Sequence, residues 1–289
     1  MTYDRRTRPG GHDLSERDGY EPGVPCWIDT WQPDADAAAA FYAQLFGWEV
    51  EDTMPPGTPG QHFMCRLRGR DVAAIASRPV GAPPATAWTT YVWVESAEDT
   101  VAKVIGAGGS VVTEPFDSLD GGRIGIVADP AGAALGVWQP GAHRGAQLVN
   151  EPGAWSMSAL STRDPAGAKA FYGATFGWET EAFDLGEGEI TMWRVPGYVG
   201  GEPEQPVSRE VVGAMAPMGS DGAPDDTAAY WSVDFWVGDV DATAENAVRL
   251  DGRVVAPPYD IPGAGFRQAV LADPQGAVFS VTRVTVESS

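Results

Sequence analysis

Aromatic and acidic side chains alternate along two short apolar segments in the first half of the chain. Residues two apart lie on one face of a β-strand, so each set would face the same side of a sheet. Indole rings stack on flat molecules and attract cations, and a carboxylate beside them can exchange a proton. The candidate site residues of this half are Trp27, Asp29 and Trp31 in one segment, Thr89, Tyr91, Trp93 and Glu95 in the other, and Trp138 further along.

The corresponding positions in the second half carry smaller and more polar side chains. A carboxylate on an apolar face costs free energy unless it is paired or solvated, so Asp29 and Asp234 indicate a wet cavity. Together with Glu95 they are the candidate general acids or bases, since burial can raise a carboxyl pKa. An alternative is that the tryptophans only fill a core. The candidate ligand-binding residues of the second half are Met157, Ser232, Trp236 and Ser280.

The two halves are copies of one unit. Phe41–Glu49, Phe-Tyr-Ala-Gln-Leu-Phe-Gly-Trp-Glu, returns 130 positions later (171 − 41) as Phe171–Glu179, with six of nine residues identical. Self-similarity at a domain-sized period predicts a duplicated structural unit. The aromatic residues of the motif fall at helical spacing, which predicts that they pack a helix against a sheet rather than bind a ligand.

The elements around the motif can also be placed. An apolar run over 24–31 predicts a strand, and Asp34 and Gly47 are positioned to cap and to end a helix; Asp164 and Gly177 do the same in the second copy. Asp-Pro-x-Gly then precedes the last strand of each copy, at 129–132 and 273–276. We expect a mobile N-terminal tail over residues 1–21, a first domain over 22–140, a linker over 141–153 and a second domain over 154–286.

The composition limits the class of partner. Forty acidic against nineteen basic residues give a formal charge of −21, which argues against nucleic acid and anionic membranes and favours small molecules, cations among them. Two cysteines, Cys26 and Cys65, do not predict a disulfide framework, and no apolar segment is long enough to span a bilayer. We expect a cytoplasmic protein that is either a monomer with an internal pseudo-dimer or a homodimer.

The helix ending in Phe-Tyr-x-x-x-Phe-Gly-Trp, the strand before it and the Asp-Pro-x-Gly turn together resemble the vicinal oxygen chelate superfamily over residues 22 to 286. That superfamily includes glyoxalase I, extradiol dioxygenases and bleomycin-resistance proteins. The resemblance implies an α+β fold in which two tandem glyoxalase-like domains each pair two βαβββ modules, whose curled sheet encloses a cup-shaped site. The tandem layout is similar to actinobacterial proteins labelled glyoxalase-like or hydroxylase.

The resemblance also implies where a divalent metal would be bound, through His, Gln or Glu on inward strand faces. The aligned positions hold Trp27, Thr89 and Gly136 in the first copy and Met157, Ser232 and Ser280 in the second. A shift of two residues adds only Asp29 and Asp234, whereas catalytic metal sites use about three protein ligands. His12, His62 and His143 lie at none of these positions. We therefore expect no bound metal or other cofactor.

Two functions are compatible with these residues. The first is a metal-free binding protein whose cup takes an aromatic or cationic metabolite. The second is an enzyme, a glyoxalase-like lyase, hydroxylase or isomerase, that uses the carboxylates or a metal not apparent in the sequence. Binding is favoured because no nucleophile and base pair is visible in the sequence.

Overall fold

The two copies fold into the same succession of strands and helices. The computed structural model describes residues 15–79, 86–118, 121–184, 189–200, 208–218, 227–261 and 265–285. The first copy contains β1 (Pro25–Gln32), α1 (Ala35–Phe46), β2 (Glu49–Asp52), β3 (His62–Leu67), β4 (Arg70–Ser77), β5 (Trp88–Trp93), α2 (Ala97–Gly106), β6 (Ser110–Ser118), β7 (Gly122–Ala128) and β8 (Ala134–Pro140).

The second copy repeats this order. Its elements are β9 (Trp155–Thr162), α3 (Pro165–Phe176), β10 (Glu179–Asp184), β11 (Glu189–Arg194), β12 (Val211–Pro217), β13 (Tyr230–Trp236), α4 (Val240–Arg249), β14 (Arg253–Ile261), β15 (Phe266–Ala272) and β16 (Val278–Val284). No helix in the described part of the chain is long and apolar enough to cross a bilayer. Cys26 and Cys65 are buried free thiols, as expected.

Each copy forms one curled, eight-stranded sheet. The strand order of the first is β2-β3-β4-β1-β5-β8-β7-β6, and the second has the equivalent order β10-β11-β12-β9-β13-β16-β15-β14. In the first copy β1 runs parallel to β4 and antiparallel to β5, while β5 runs parallel to β8. Two βαβββ modules therefore lie side by side in each sheet, which confirms the predicted α+β fold of two tandem domains, each a pair of βαβββ modules.

The helix boundaries follow the predicted caps. Asp34 accepts a hydrogen bond from the backbone N–H of Ala37 at the start of α1, and Gly47 ends that helix in a left-handed conformation with φ 73°. Asp164 and Gly177 have the same roles in α3. A side-chain acceptor at the first turn and a glycine after the last one satisfy backbone groups that the helix cannot pair itself.

The repeated aromatic motif joins the two copies to each other. The Tyr42 hydroxyl of the first copy donates to Asp273 Oδ2 of the second at 3.0 Å. Reciprocally, the Tyr172 hydroxyl of the second copy donates to Asp129 Oδ2 of the first at 3.0 Å. Each tyrosine belongs to a Phe-Tyr-x-x-x-Phe-Gly-Trp segment and each aspartate to an Asp-Pro-x-Gly turn, so each repeated motif has its partner in the other copy.

The tryptophans of the motif make a second reciprocal pair. Trp48 Nε1 donates to the Gly153 carbonyl at 2.7 Å, and Trp178 Nε1 donates to the Gly23 carbonyl at 2.6 Å. Both glycines have positive φ, 88° and 86°, and a Cβ atom would lie 3.0 Å or less from a carbonyl oxygen of the opposite copy. Glycine is therefore required there by both the conformation and the close approach. The two domains are packed as an internal pair.

The segment before β1 packs against the predicted linker. Ser15 is buried and donates to Glu151 Oε1 at 2.7 Å, Glu16 forms an isolated β-bridge with Leu148, and the Tyr20 hydroxyl donates to the Ala146 carbonyl at 2.7 Å. Part of the predicted N-terminal tail, residues 15–20, thus contacts residues 146–151. Residues 1–14 lie outside the described part of the chain, and the domain boundaries remain predictions.

Candidate functional site

A cavity opens on the concave face of the first sheet. Its volume is about 460 Å³, within the range of about 300 to 1,000 Å³ that is typical of small-molecule sites. It is bounded by strands β1, β3, β7 and β8, by the β2–β3 loop and by the start of the linker. The lining residues are Trp27, Asp29, Thr53, Pro55, His62, Met64, Ser118, Gly121, Ile124, Trp138, Ala142 and His143.

Asp29 is the buried carboxylate of this cavity. It lies in the middle of β1, opposite Ala74 of β4 and Thr89 of β5, and only 8% of its surface is exposed. The Tyr91 hydroxyl donates to Oδ2 at 2.9 Å, whereas Oδ1 is buried without a hydrogen-bond partner among the described residues. Burial raises the pKa of Asp29 to about 7, although the Tyr91 hydroxyl and the nearby Trp31 indole both favour the ionised form.

Three rings form the aromatic wall beside Asp29. The Trp27 and Trp138 ring centroids are 6.4 Å apart, and the His143 ring packs edge-on against both, at 4.4 Å from Trp27 and 5.4 Å from Trp138. Trp27 is two residues from Asp29 on the same face of β1, so the wall and the acid share one surface. Trp27 and Trp138 also belong to the buried core and are 2% and 5% exposed, so only a small part of each ring is open to the cavity. Aromatic and cationic groups are the ligands that such ring contacts favour.

Two histidines face this cavity, and sequence reasoning assigned them no role. The Gly145 backbone N–H donates to His143 Nδ1 at 3.3 Å, which places the proton of the neutral ring on Nε2. Nε2 is buried and makes no hydrogen bond in the described structure, but it lies 3.6 Å from Asp71 Oδ2, within ion-pair distance when the ring is protonated. His62 Nδ1 lies 2.8 Å from Thr53 Oγ1, and burial lowers the pKa of His62.

The sequence did not identify the two histidines for two different reasons. His143 follows β8 in a segment that reads as a linker without apolar periodicity, so nothing in the pattern placed it in the cavity. His62 begins β3, and its alternation with Met64 could have placed both on the concave face, but it has no histidine counterpart in the second copy.

The other residues predicted for the first site lie around the cavity rather than in it. Tyr91 is fully buried behind Asp29, Thr89 is half-buried beside it on β5, and Trp31 packs partly buried against the core. Trp93 lies under Tyr20, with ring centroids 6.3 Å apart, and the Arg144 guanidinium carbon is 5.2 Å from its ring centroid. Both Trp93 and Glu95 border a separate hollow of about 360 Å³ between α2 and α3.

Both oxygens of the acid in the second copy accept hydrogen bonds. Asp234 Oδ2 accepts from Thr282 Oγ1 at 2.5 Å and from Gln268 Nε2 at 2.9 Å, and Oδ1 accepts from Ser156 Oγ at 3.1 Å. Burial raises the pKa of Asp234 to about 6 against these three donors. Unlike Asp29, this carboxylate has at least one donor on each of its oxygens.

The remaining second-copy candidates surround Asp234 on the sheet. Met157 lies opposite it on β9 and Ser280 opposite it on β16, while Ser232 donates to the Ala159 carbonyl at 3.2 Å. Trp236 is half-buried, and its carbonyl accepts from the Gly153 backbone N–H at 2.8 Å. The structure therefore brings Met157, Asp234 and Ser280 together on one surface.

The residues at the aligned ligand positions do not fit a divalent metal. In the first copy a Cβ at Gly136 would lie 2.1 Å from the Tyr91 ring, so that ring fills the space a ligand side chain would need. Over the described residues no group of three or more His, Cys, Asp or Glu side chains is arranged to hold a metal ion. Trp27, Thr89 and Gly136 supply none of the usual donors.

Comparisons with solved structures agree with the fold. A Mn(II)-bound glyoxalase from Novosphingobium aromaticivorans is similar with a TM-score of 0.58 and 16% identity over 93% of this chain and 84% of that one. The 2,3-dioxygenase LapB from Pseudomonas sp. KL28 has a TM-score of 0.59 and 12% identity over 93% and 95% of the two chains. At these identities the likeness concerns the fold alone.

Sequence comparisons identify the family. The profile of the glyoxalase/bleomycin resistance protein/dioxygenase superfamily matches residues 27–137, and that of a glyoxalase-like domain matches 145–282. CFP32 from Mycobacterium tuberculosis, provisionally named a glyoxylase, is 41% identical over 93% of this chain and 98% of its own length. The anthracycline biosynthesis protein DauV from Streptomyces sp. strain C5 is 34% identical over 92% and 94%. The chain therefore belongs to the glyoxalase, bleomycin-resistance protein and dioxygenase superfamily, as its sequence motifs predict.

Proposed function

We propose that the first copy binds a planar aromatic small molecule, neutral or cationic, without a metal ion. The observation that carries this proposal is the cavity of about 460 Å³ in which Trp27, Trp138 and His143 surround the buried carboxylate of Asp29. The rings border the cavity, although Trp27 and Trp138 are only 2% and 5% exposed, and Asp29 supplies one polar anchor. Ring contacts of this kind are worth roughly 0.5 to 2 kcal/mol each. The relative DauV is named for anthracycline biosynthesis, and anthracyclines contain a planar fused-ring system, which supports this class of ligand.

Tryptophan fluorescence tests the proposal directly. We expect 2-naphthol, a neutral planar probe, or proflavine, a planar cation, to quench the fluorescence saturably, with no change on adding a chelator. Replacing Trp27 by leucine keeps apolar bulk but removes the stacking face, so affinity should fall about tenfold, which corresponds to about 1.4 kcal/mol. Circular dichroism would verify that the variant is folded.

The matched control is Trp236→Leu, at the half-buried tryptophan of the second copy, which should leave the affinity unchanged. If quenching is retained in Trp27→Leu but lost in Trp236→Leu, the ligand binds in the second copy. Loss of binding on adding chelator, together with about one transition metal per domain in elemental analysis, would overturn the metal-free proposal.

A second candidate function is proton-transfer catalysis in the same cavity. It is favoured by one observation, the pKa of about 7 at Asp29, since a general base is most effective when its pKa is near the working pH. Once a substrate is identified, Asp29→Asn should abolish turnover while a stacked substrate still binds. Retained turnover in that variant would exclude Asp29 as the base.

A further inference from the structure

Unpartnered polar atoms are concentrated in the first cavity. Among the described residues six buried side-chain nitrogen or oxygen atoms lack a hydrogen-bond partner, and three of the six belong to residues lining this one cavity. They are Asp29 Oδ1, Trp138 Nε1 and His143 Nε2, of which the last has Asp71 Oδ2 as a neighbour at 3.6 Å. A buried polar group without a hydrogen bond is destabilising, so Asp29 Oδ1 and Trp138 Nε1 at one place indicate a partner that arrives from outside the chain.

The three atoms differ in what they require. Asp29 Oδ1 is an acceptor when the carboxylate is ionised, because Tyr91 already occupies Oδ2. Trp138 Nε1 can only donate, and His143 Nε2 carries the ring proton because Nδ1 accepts from Gly145. A matching molecule must therefore present a donor to Asp29 and an acceptor oxygen to the indole and imidazole N–H groups.

The shape of the site restricts this molecule further. The rings of Trp27, Trp138 and His143 lie within 6.4 Å of each other, so the two donors belong to the aromatic wall itself. The acid lies two residues from Trp27 on β1, on the same face. A flat ring system that packs along this wall would carry its polar groups at its edge, one toward Asp29 and one toward the donors.

We propose that the ligand is a planar fused-ring phenol that also carries a carbonyl group. Its hydroxyl donates to Asp29 Oδ1, and its carbonyl oxygen accepts from Trp138 Nε1 or His143 Nε2. This assignment rests on the proposed binding function of the cavity and names the chemical class that the site selects.

Calorimetric titration with three related probes tests the assignment. 6-Acetyl-2-naphthol has both polar groups, 2-acetyl-6-methoxynaphthalene lacks the donor, and 2-naphthol lacks the carbonyl. At pH 7.5 we expect the first to bind about tenfold more tightly than either of the others, because each deletion leaves a buried protein group unpaired.

Two conservative variants assign the preference to atoms. Asp29→Asn should remove the preference for hydroxyl over methoxy, and Trp138→Phe, which keeps a ring but loses the N–H, should weaken the preference for the acetyl group. Circular dichroism of each variant would show that the fold is retained. His143→Phe provides a second measurement of the carbonyl contact that does not depend on Trp138.

The outcomes separate this assignment from the proposed function. Equal affinity for all three probes would overturn the hydroxyl and carbonyl assignment while leaving an aromatic-binding site in place. Binding of none of the three, together with no quenching by proflavine, would overturn both. Preferences that persist unchanged in Asp29→Asn and Trp138→Phe would show that other residues recognise these groups.

Discussion

Phe235→Ala is expected to destabilise the protein by about 3 to 5 kcal/mol, the range for a large aromatic removed from a core. Phe235 of the second copy is fully buried, and its ring lies 4.7 Å from Phe46, 5.8 Å from Trp48 and 5.2 Å from Trp88, all of the first copy. The substitution would therefore leave a new void between the two copies. Chemical denaturation should show one transition, shifted as a whole to lower denaturant.

Phe116→Ala is the matched control, because Phe116 on β6 is 39% exposed. Removing its ring should lower the free energy of unfolding by less than about 1 kcal/mol. Two separate transitions in the Phe235→Ala variant, with only one of them shifted, would contradict a shared core and would mean that the two copies unfold independently.

Asp29→Asn is expected to change how stability depends on pH. In the folded protein the pKa of Asp29 is about 7, whereas in the unfolded chain it returns to its ordinary value of 3.8. Between these values the folded state binds more protons than the unfolded state, so this group makes the free energy of unfolding fall as the pH rises. The penalty is complete above pH 7 and absent below about pH 4.

The comparison of wild type and variant isolates this group, since all other titrating residues are common to both. From pH 5 to pH 8 the wild type should lose roughly 2 to 3 kcal/mol more than Asp29→Asn, because most of the interval between the unfolded and folded pKa of Asp29 lies in this range. Denaturant titrations at the two pH values measure the difference. Equal losses in both proteins would show that Asp29 ionises freely and is not buried as described.

A residue whose ionisation destabilises the fold calls for an explanation. Tyr91 at 2.9 Å is the one described donor within hydrogen-bond distance of Asp29, while Asp234 in the second copy has three such donors. Substitution of Asp29 by an uncharged residue would remove the destabilisation that its ionisation causes. Stabilising substitutions of this kind commonly reduce activity where a destabilised residue belongs to a functional site. The contrast between the two acids supports the first copy as the site of the proposed function.

The local elements were predictable from the sequence because their signals are local. Asp34 and Gly47 are the cap and the terminating glycine of one helix, and alternation along β1 correctly places Trp27 and Asp29 on one face. These inferences need only the geometry of a helix or a strand. The duplicated motif likewise gave the number of domains.

The partners of those residues were not predictable. Tyr42 and Asp273 are 231 residues apart in sequence, and helical spacing shows which side of α1 is buried but not what covers it. His143 was missed for the same reason, since its place beside Trp27 follows from how the chain leaves β8. Trp93 has the right strand position but is covered by Tyr20 and Arg144, which precede and follow the domain.

A crystal structure of the protein grown with 6-acetyl-2-naphthol tests the central claim most directly. We expect the naphthalene ring against Trp27 and Trp138 in the first copy, with its hydroxyl within hydrogen-bond distance of Asp29 Oδ1 and no metal ion between them. Ligand bound instead beside Asp234 in the second copy, or a metal ion coordinated by residues of the first cavity, would contradict the account.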